Sequence, residues 1–460
     1  MNKSLDLSIR RMFGFLAATF CLLSLVDGIF PQLQMYLSGG HMLVGNSVIK
    51  AVLLATAVLG CLIHTKGQSA DLPISTWLLC IGFLLADGLY LTSSRGMSPF
   101  DVLQSYNGYY VLLLIGPALL AFRGAAPARV IIRYTVFLLV VCAVIGVAQY
   151  LLAKPILYTR SGDGSFSVQS WEFFGKVRAF SLFSSALEFG IFCALCGALG
   201  VSLSRTMPTK GWLLVFFSGI ACLTTLTRLC YLLFICACVY ARILTFGRKP
   251  ARGLWQPLLY LVLGIATLLA GLVSFTSGEG AALQDSSSVI DRAVQWTYYY
   301  DLIARATLTD RMFGLGIVQN DKILPLFPMA IDNIPLALVL HIGFVGLLLF
   351  GILLIKMWLY LRREALATQQ PFIVAAASLW ATLGCAGLFN ITFSSFGAVF
   401  AIAVLCERNQ LIKRRKLITV STGEKNDQAL SLRLLGPITK QSDVWNVSRA
   451  IKLKGSTTCI

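Results

Sequence analysis

Five arginines, Arg178, Arg228, Arg292, Arg305 and Arg311, lie in or beside the polar stretches that interrupt long apolar runs. A guanidinium stays charged and offers a planar fork of donors, so arginines gathered on one side of a membrane suit a phosphate or diphosphate bound bidentately. Arg228 is the sharpest of them because it sits between two short apolar runs. A charge there costs roughly 2.5 to 3.5 kcal/mol unless it snorkels or finds a partner. Its plain alternative is an ion pair with a loop carboxylate. Acids inside apolar runs are Asp27, Asp87 and Glu188, each near an expected helix end and each either a proton or substrate contact or a structural partner. The histidines, His41, His64 and His341, are scattered without metal-ligand spacing. No Asp-x-Asp pair stands in the outer stretches, so no metal site is expected and arginine would have to meet any leaving-group charge.

A second pattern begins at Arg292. Arg292-x-x-x-Trp296 is followed by Phe313-Gly-Leu-Gly316, then by Asp332-Asn333, and nine residues later by Gly343-Phe-Val-Gly346. Val289, Ala293, Trp296, Tyr300 and Ile303 recur at helical spacing and form one apolar face. Such a helix either lies flat on the membrane, with Asp291, Gln295 and Arg305 wet, or packs as a core helix. Asp332 reads both as the N-cap of the span that follows and as a general base, if burial or a nearby carboxylate raises its pKa.

The elements that must position these residues follow from composition. Hydrophobic residues make up 57% of the 460 and charged ones 13%, whereas a soluble domain carries roughly 25% charged. The class is an all-α polytopic membrane protein. Spans of about 20 residues are expected near 12–30, 43–63, 74–92, 106–122, 131–153, 182–203, 212–226, 229–246, 256–275, 333–355, 371–389 and 396–407. Two of the boundaries come from dividing over-long runs at Thr224-Thr-Leu-Thr-Arg228 and at Asn390-Ile-Thr-Phe-Ser-Ser395. The first span follows Lys3, Arg10 and Arg11 without a cleavage pattern and is expected to be retained.

Lysine and arginine cluster in alternate segments, so the positive-inside rule puts both termini in the cytoplasm. Residues 1–407 then form the membrane domain, with long outer loops at about 154–181 and 276–331, and residues 408–460 form a basic tail. Lys413-Arg-Arg-Lys416 in that tail reads as an anchor on anionic lipid. Nucleic-acid binding is disfavoured, because Trp445 is the tail's single aromatic. The net charge of +18 is mostly a matter of topology. The thirteen cysteines lie almost all inside apolar runs, Cys193 and Cys196 among them, and read as small packing residues without a disulfide framework.

The chain resembles the O-antigen polymerase and O-antigen ligase superfamily of bacterial surface-polysaccharide enzymes. Arg178-Ala-Phe-Ser-Leu-Phe is similar to the family's Arg-x-x-Gly-x-Phe segment, with Ser181 where glycine is common, and Thr227-Arg228 is similar to its Ser-Arg step. Arg292-x-x-x-Trp296 with Phe313-Gly-Leu-Gly316, and the Arg305 to Gly316 spacing, resemble its large periplasmic loop. Asp332-Asn333 and Gly343-x-x-Gly346 resemble its His-Asn and Gly-x-x-Gly pair, with Asp332 in the histidine position.

The resemblance implies a metal-independent, cofactor-free glycosyltransferase, multi-pass in the bacterial inner membrane. Its substrates would be undecaprenyl-diphosphate-linked glycans and its partners membrane lipid and a chain-length regulator. Arg228 and Arg178 would hold the diphosphate, and Asp332 would be the base. Arg292 and Arg305 would position the glycan or the diphosphate, and Trp296, Gly314, Gly316 and Asn333 would bind the substrate beside them. Aspartate in place of histidine favours the polymerase branch over ligation to lipid A core. A transporter or flippase is the remaining alternative, although no internal repeat supports it.

Overall fold

The computed structural model describes residues 3–25, 74–100, 102–103, 106, 110–154, 172–173, 176–183, 185–247, 296–316, 334–383 and 393–407. All of these lie in the first of two units, Met1–Arg408; the second, Asn409–Ile460, which holds the basic tail, lies outside the described residues. So do the expected spans at 43–63 and 256–275, together with Asp27.

Helix dominates the described residues. In chain order the helices are α1 Lys3–Leu25, α2 Ile74–Arg95, α3 Val111–Ala118, α4 Ala128–Leu152, α5 Ala186–Leu203, α6 Pro208–Leu223 and α7 Arg228–Phe246. There follow α8 over 296–305, α9 Leu308–Phe313, α10 Ile334–Thr368, α11 Pro371–Ala381 and α12 Phe393–Leu405. A two-residue hairpin, β1 Glu172–Phe173 against β2 Lys176–Val177, precedes α5. Five helical stretches are long and apolar enough to cross a membrane: Ser75–Arg95, Ala128–Leu152, Ala186–Leu203, Arg228–Phe246 and Pro335–Thr368. The chain is a helical membrane protein.

Local chemistry explains the boundaries. Pro208 and Pro371 open α6 and α11, where a missing N–H costs nothing. Ser185 caps α5 by accepting from the Glu188 N–H at 3.3 Å, so Glu188 sits in a capped first turn. The break between α6 and α7 falls where the threonines stand. Thr224 and Thr225 turn their hydroxyls back onto the carbonyls of Ala221 and Cys222, each at 2.7 Å, and Leu226 takes φ +48°. The 106–122 run yields only α3, with Pro117 inside it and a 3-10 turn Leu119–Phe122 after it.

Helix α5 is buried along almost its whole length and packs against α6, α7 and α11. Small residues make this possible: a β-carbon at Gly190 would lie 2.2 Å from Cys230 Sγ, so the two backbones approach as small-residue helix pairs do in membranes. Helix α10 behaves differently. It is 35 residues long but breaks at Gly343, which has φ +69° and ψ −175°. Leu336 to Ile342 are buried ahead of the break, whereas Phe344, Leu348, Ile352, Ile355 and Leu359 form an exposed apolar stripe after it. Residues 344–368 span roughly 38 Å at 1.5 Å per residue, enough to cross about 30 Å of hydrocarbon without the preceding segment. The first residues of the expected span at 333–355 are enclosed by protein, and the stretch long and apolar enough to cross a membrane, Pro335–Thr368, continues beyond its end.

Candidate functional site

The break at Gly343 interrupts the hydrogen-bond ladder of α10, and the carbonyls of Leu340 and His341 need other donors. The stretch after α9 supplies them. The N–H of Leu315 donates to Leu340 O at 2.7 Å and that of Gly316 to His341 O at 3.2 Å. Glycine is required on both sides of this contact. A β-carbon on Gly314 (φ +89°) would lie 2.4 Å from His341 O, and one on Gly343 would lie 2.2 Å from Met312 O. Two motifs that stand apart in the sequence are thus one device, a three-residue strand of chain with positive φ at both glycines, laid across a broken helix.

Two helices hold that strand in place. On α8, Trp296, Tyr299, Leu302 and Ile303, with Ala306 just beyond its end, pack with Leu315, Leu336 and Leu340, so one face of α8 is packed against protein while Tyr298 and Tyr300 are exposed on the other. The buried aromatic is Tyr299, not the expected Tyr300, which is 59% exposed; the buried spacing 296, 299, 303, 306 turns Tyr300 outward. Arg311 closes the end of α8, its Nε donating to Ala306 O at 3.0 Å and a terminal nitrogen donating to Ala304 O.

On α9, Thr307 caps the first turn by accepting from the Asp310 N–H at 3.2 Å, and its hydroxyl donates to Asp310 Oδ2 at 2.7 Å. Asp310 Oδ1 accepts from Tyr90 Oη at 3.1 Å and from the guanidinium of Arg95. Burial raises the Asp310 pKa, but the Thr307 hydroxyl, Arg95 and Tyr90 together outweigh it and hold the carboxyl below its ordinary value. Phe313 also packs on α2, with ring centroids 6.3 Å from Phe83 and 5.9 Å from Tyr90. Sequence reasoning passed over Arg95 and Asp310. The available signal was Thr307-x-x-Asp310, a capping pattern that fixes the carboxylate at the start of α9.

Of the expected site residues here, Gly314 and Gly316 form the strand, and Trp296 is a packing residue beneath it. Arg305 is surface-exposed and paired with Asp301 at 2.7 Å, a contact that screening makes worth only about 0.3 to 0.5 kcal/mol. Arg292, Asp332 and Asn333 lie outside the described residues. By sequence, Asp332 and Asn333 immediately precede α10.

Arg178 and Arg228 are built on other elements, α4 to α7. The chain after Arg178 is clamped by Gln149 of α4, whose Oε1 accepts from Ser181 N at 2.8 Å and from Phe180 N at 3.2 Å. Ala179 N donates to Thr224 O at 3.0 Å, tying this segment to the α6–α7 turn. Arg178 there acts electrostatically on Cys230 and Tyr231 in the first turn of α7. Arg228 is the first residue of α7 and is exposed. Both arginines adjoin the α7 N-terminus, whose dipole adds positive potential of its own.

Ser181 has φ +55°, a left-handed conformation that glycine adopts without strain. Its hydroxyl offsets the strain by donating to Cys142 O at 2.7 Å. Ser181→Gly exchanges roughly 1 kcal/mol of relieved strain for a hydrogen bond of similar worth, so the thermal midpoint should barely move. Ser181→Val loses the hydrogen bond and adds branching at a left-handed residue; it should destabilise by about 2 to 4 kcal/mol, read by the same melt.

The fold and site together define a helical membrane protein with a loop strand docked across a broken helix. Comparison with protein-family models and with curated proteins returns no match.

Proposed function

We propose that this chain is a membrane glycosyltransferase of the polysaccharide-polymerase type, with twelve spans, cytoplasmic termini and its site on the periplasmic face of the bacterial inner membrane. The observation that carries the reading is the docking of Gly314–Gly316 on the α10 break. Two of the stretches that carry the family resemblance, Phe313–Gly316 and Gly343–Gly346, meet in one structure.

In the proposed reaction the growing glycan, linked through its anomeric carbon to undecaprenyl diphosphate, is attacked by a hydroxyl of the terminal sugar on the next lipid-linked unit. The new C–O bond forms, the bond from carbon to diphosphate oxygen breaks, the diphosphate leaves with the electron pair, and Asp332 takes the hydroxyl proton. Arg178, Arg228 and the α7 N-terminus stabilise the leaving diphosphate, in the manner of fixed donors aimed at developing charge.

The test is reconstitution of the purified chain with a lipid-linked repeat unit and electrophoresis of the product. A ladder of lengths is expected, and Arg228→Ala should lower its rate roughly 100-fold. In cells, a deletion strain should carry lipid A core bearing a single repeat. An unchanged ladder in that strain refutes the proposal; finished polymer left on its lipid with bare core would indicate a ligase instead.

A further inference from the structure

At the end of α10 remote from Gly343, the seam between α7 and α10 gathers positive charge. Arg205, in the turn after α5, donates to Gln369 Oε1 at 3.0 Å and to the Thr245 carbonyl at 3.4 Å. Gln369 is held at φ +51° and donates from its side chain to Leu244 O at 3.4 Å. Two turns back along α10 from Gln369, Arg362 faces the Tyr240 hydroxyl and lies 5.9 Å from the Trp358 ring centroid. Arg242 covers Phe246 at 4.1 Å, and Arg363 adjoins Glu364. The only acid among these residues, Glu364, is engaged by Arg123 at 2.6 Å.

Three helix C-termini meet here, those of α5, α7 and α10, and each opposes an anion with roughly half a negative charge. Five guanidiniums against one carboxylate and these three ends still leave a clear positive excess. The hydroxyl of Thr245 is buried in the seam and has no hydrogen-bond partner among the described residues.

Position identifies the occupant. The exposed apolar stripe of α10 ends at Leu359, and Arg362 and Arg363 follow within one turn. Guanidiniums directly beyond a lipid-facing stripe stand at the headgroup level, and aromatic rings beside them are typical of that depth. Basic recesses between helix ends at this level bind anionic headgroups. We propose that the α7–α10 seam, with Arg205, is a binding site for the phosphate of an anionic phospholipid, gripped by Arg362 and Arg205 with the Thr245 hydroxyl as a further donor.

The experiment is thermal unfolding of the full chain in nanodiscs of phosphatidylcholine alone and with added phosphatidylglycerol. The anionic lipid should raise the midpoint by several degrees, and high salt should shrink the shift. Arg205→Ala and Arg362→Gln should each remove most of the shift, whatever they do to the midpoint in phosphatidylcholine. Arg362→Lys should recover only part of it, since an ammonium lacks the planar fork. Arg133→Ala, on α4, should leave the shift intact. An equal shift in the seam variants overturns the site, as does a shift lost equally in the α4 variant. If inorganic phosphate in phosphatidylcholine discs reproduces the effect, the ligand is soluble and the lipid assignment fails.

Discussion

Gly343→Ala is expected to undock the Gly314–Gly316 strand and to destabilise the protein by about 4 kcal/mol. Two costs add. At φ +69° and ψ −175° the backbone occupies a region that is almost exclusive to glycine. The new β-carbon would also stand 2.2 Å from Met312 O and 2.5 Å from Phe313 N. Both neighbours are backbone, so no side chain can swing aside, and relief requires α9 to move away. The carbonyls of Leu340 and His341 then lose the donors they now have. Gly351→Ala on the same helix is the control, because nothing lies within 4 Å of its β-carbon position. It should be neutral or stabilise by up to about 1 kcal/mol. Thermal midpoints of the two variants in one detergent decide the matter. If they agree, the strand does not depend on the glycine break, and the proposed site loses its scaffold. In cells the Gly343 variant should also shorten the polysaccharide ladder while Gly351→Ala leaves it unchanged.

What could be read from the sequence is what depends on near neighbours. The apolar helical class came from apolar runs, five of which are helices long enough to cross a membrane, and the α6–α7 break came from threonines whose hydroxyls do fold back on the preceding turn. The two glycine motifs were visible as motifs, but their union was not. It is made by backbone groups of Leu315, Gly316, Leu340 and His341, and three of those four places carry ordinary side chains that give no sign of the contact.

The clasp on α9 was hidden for another reason. Arg95 and Asp310 are 215 residues apart, and each looks like an ordinary surface charge until the fold brings α2 beside α9. The Tyr299 and Tyr300 exchange shows the limit of periodicity, since one residue of phase around a helix separates a core aromatic from an exposed one. Ser181 was recognised as a departure from a glycine pattern. Its left-handed backbone, which gives that departure a physical meaning, needed coordinates.

Asp310→Ala is expected to loosen the same wall from its other side. The carboxylate is the shared acceptor of Thr307, Tyr90 and Arg95, so its removal strands three donors at once. The Arg95 side chain is 33% exposed and can return to water, whereas Asp310 itself is 10% exposed. The loss should therefore fall near 1 to 3 kcal/mol, below that of a fully buried pair. Arg95→Ala alone should cost less, because Tyr90 and Thr307 remain. The exchange Arg95→Asp with Asp310→Arg should recover little, since an arginine at 310 can accept from neither hydroxyl; full recovery would show that charge alone holds α9.

Acid should act in the same direction as the mutation. Because the Asp310 carboxyl is held below its ordinary value, its contribution is complete above about pH 4, the unfolded carboxylate range, and is lost as pH falls through the lower folded value. A cysteine placed at Leu315 and probed with an impermeant maleimide should thus stay protected from pH 8 to pH 5 in the wild-type background. In Asp310→Ala it should react faster throughout that range. Equal labelling in the two backgrounds would mean that α9 is held by Phe313 packing on Phe83 and Tyr90, and that the ion pair only decorates it.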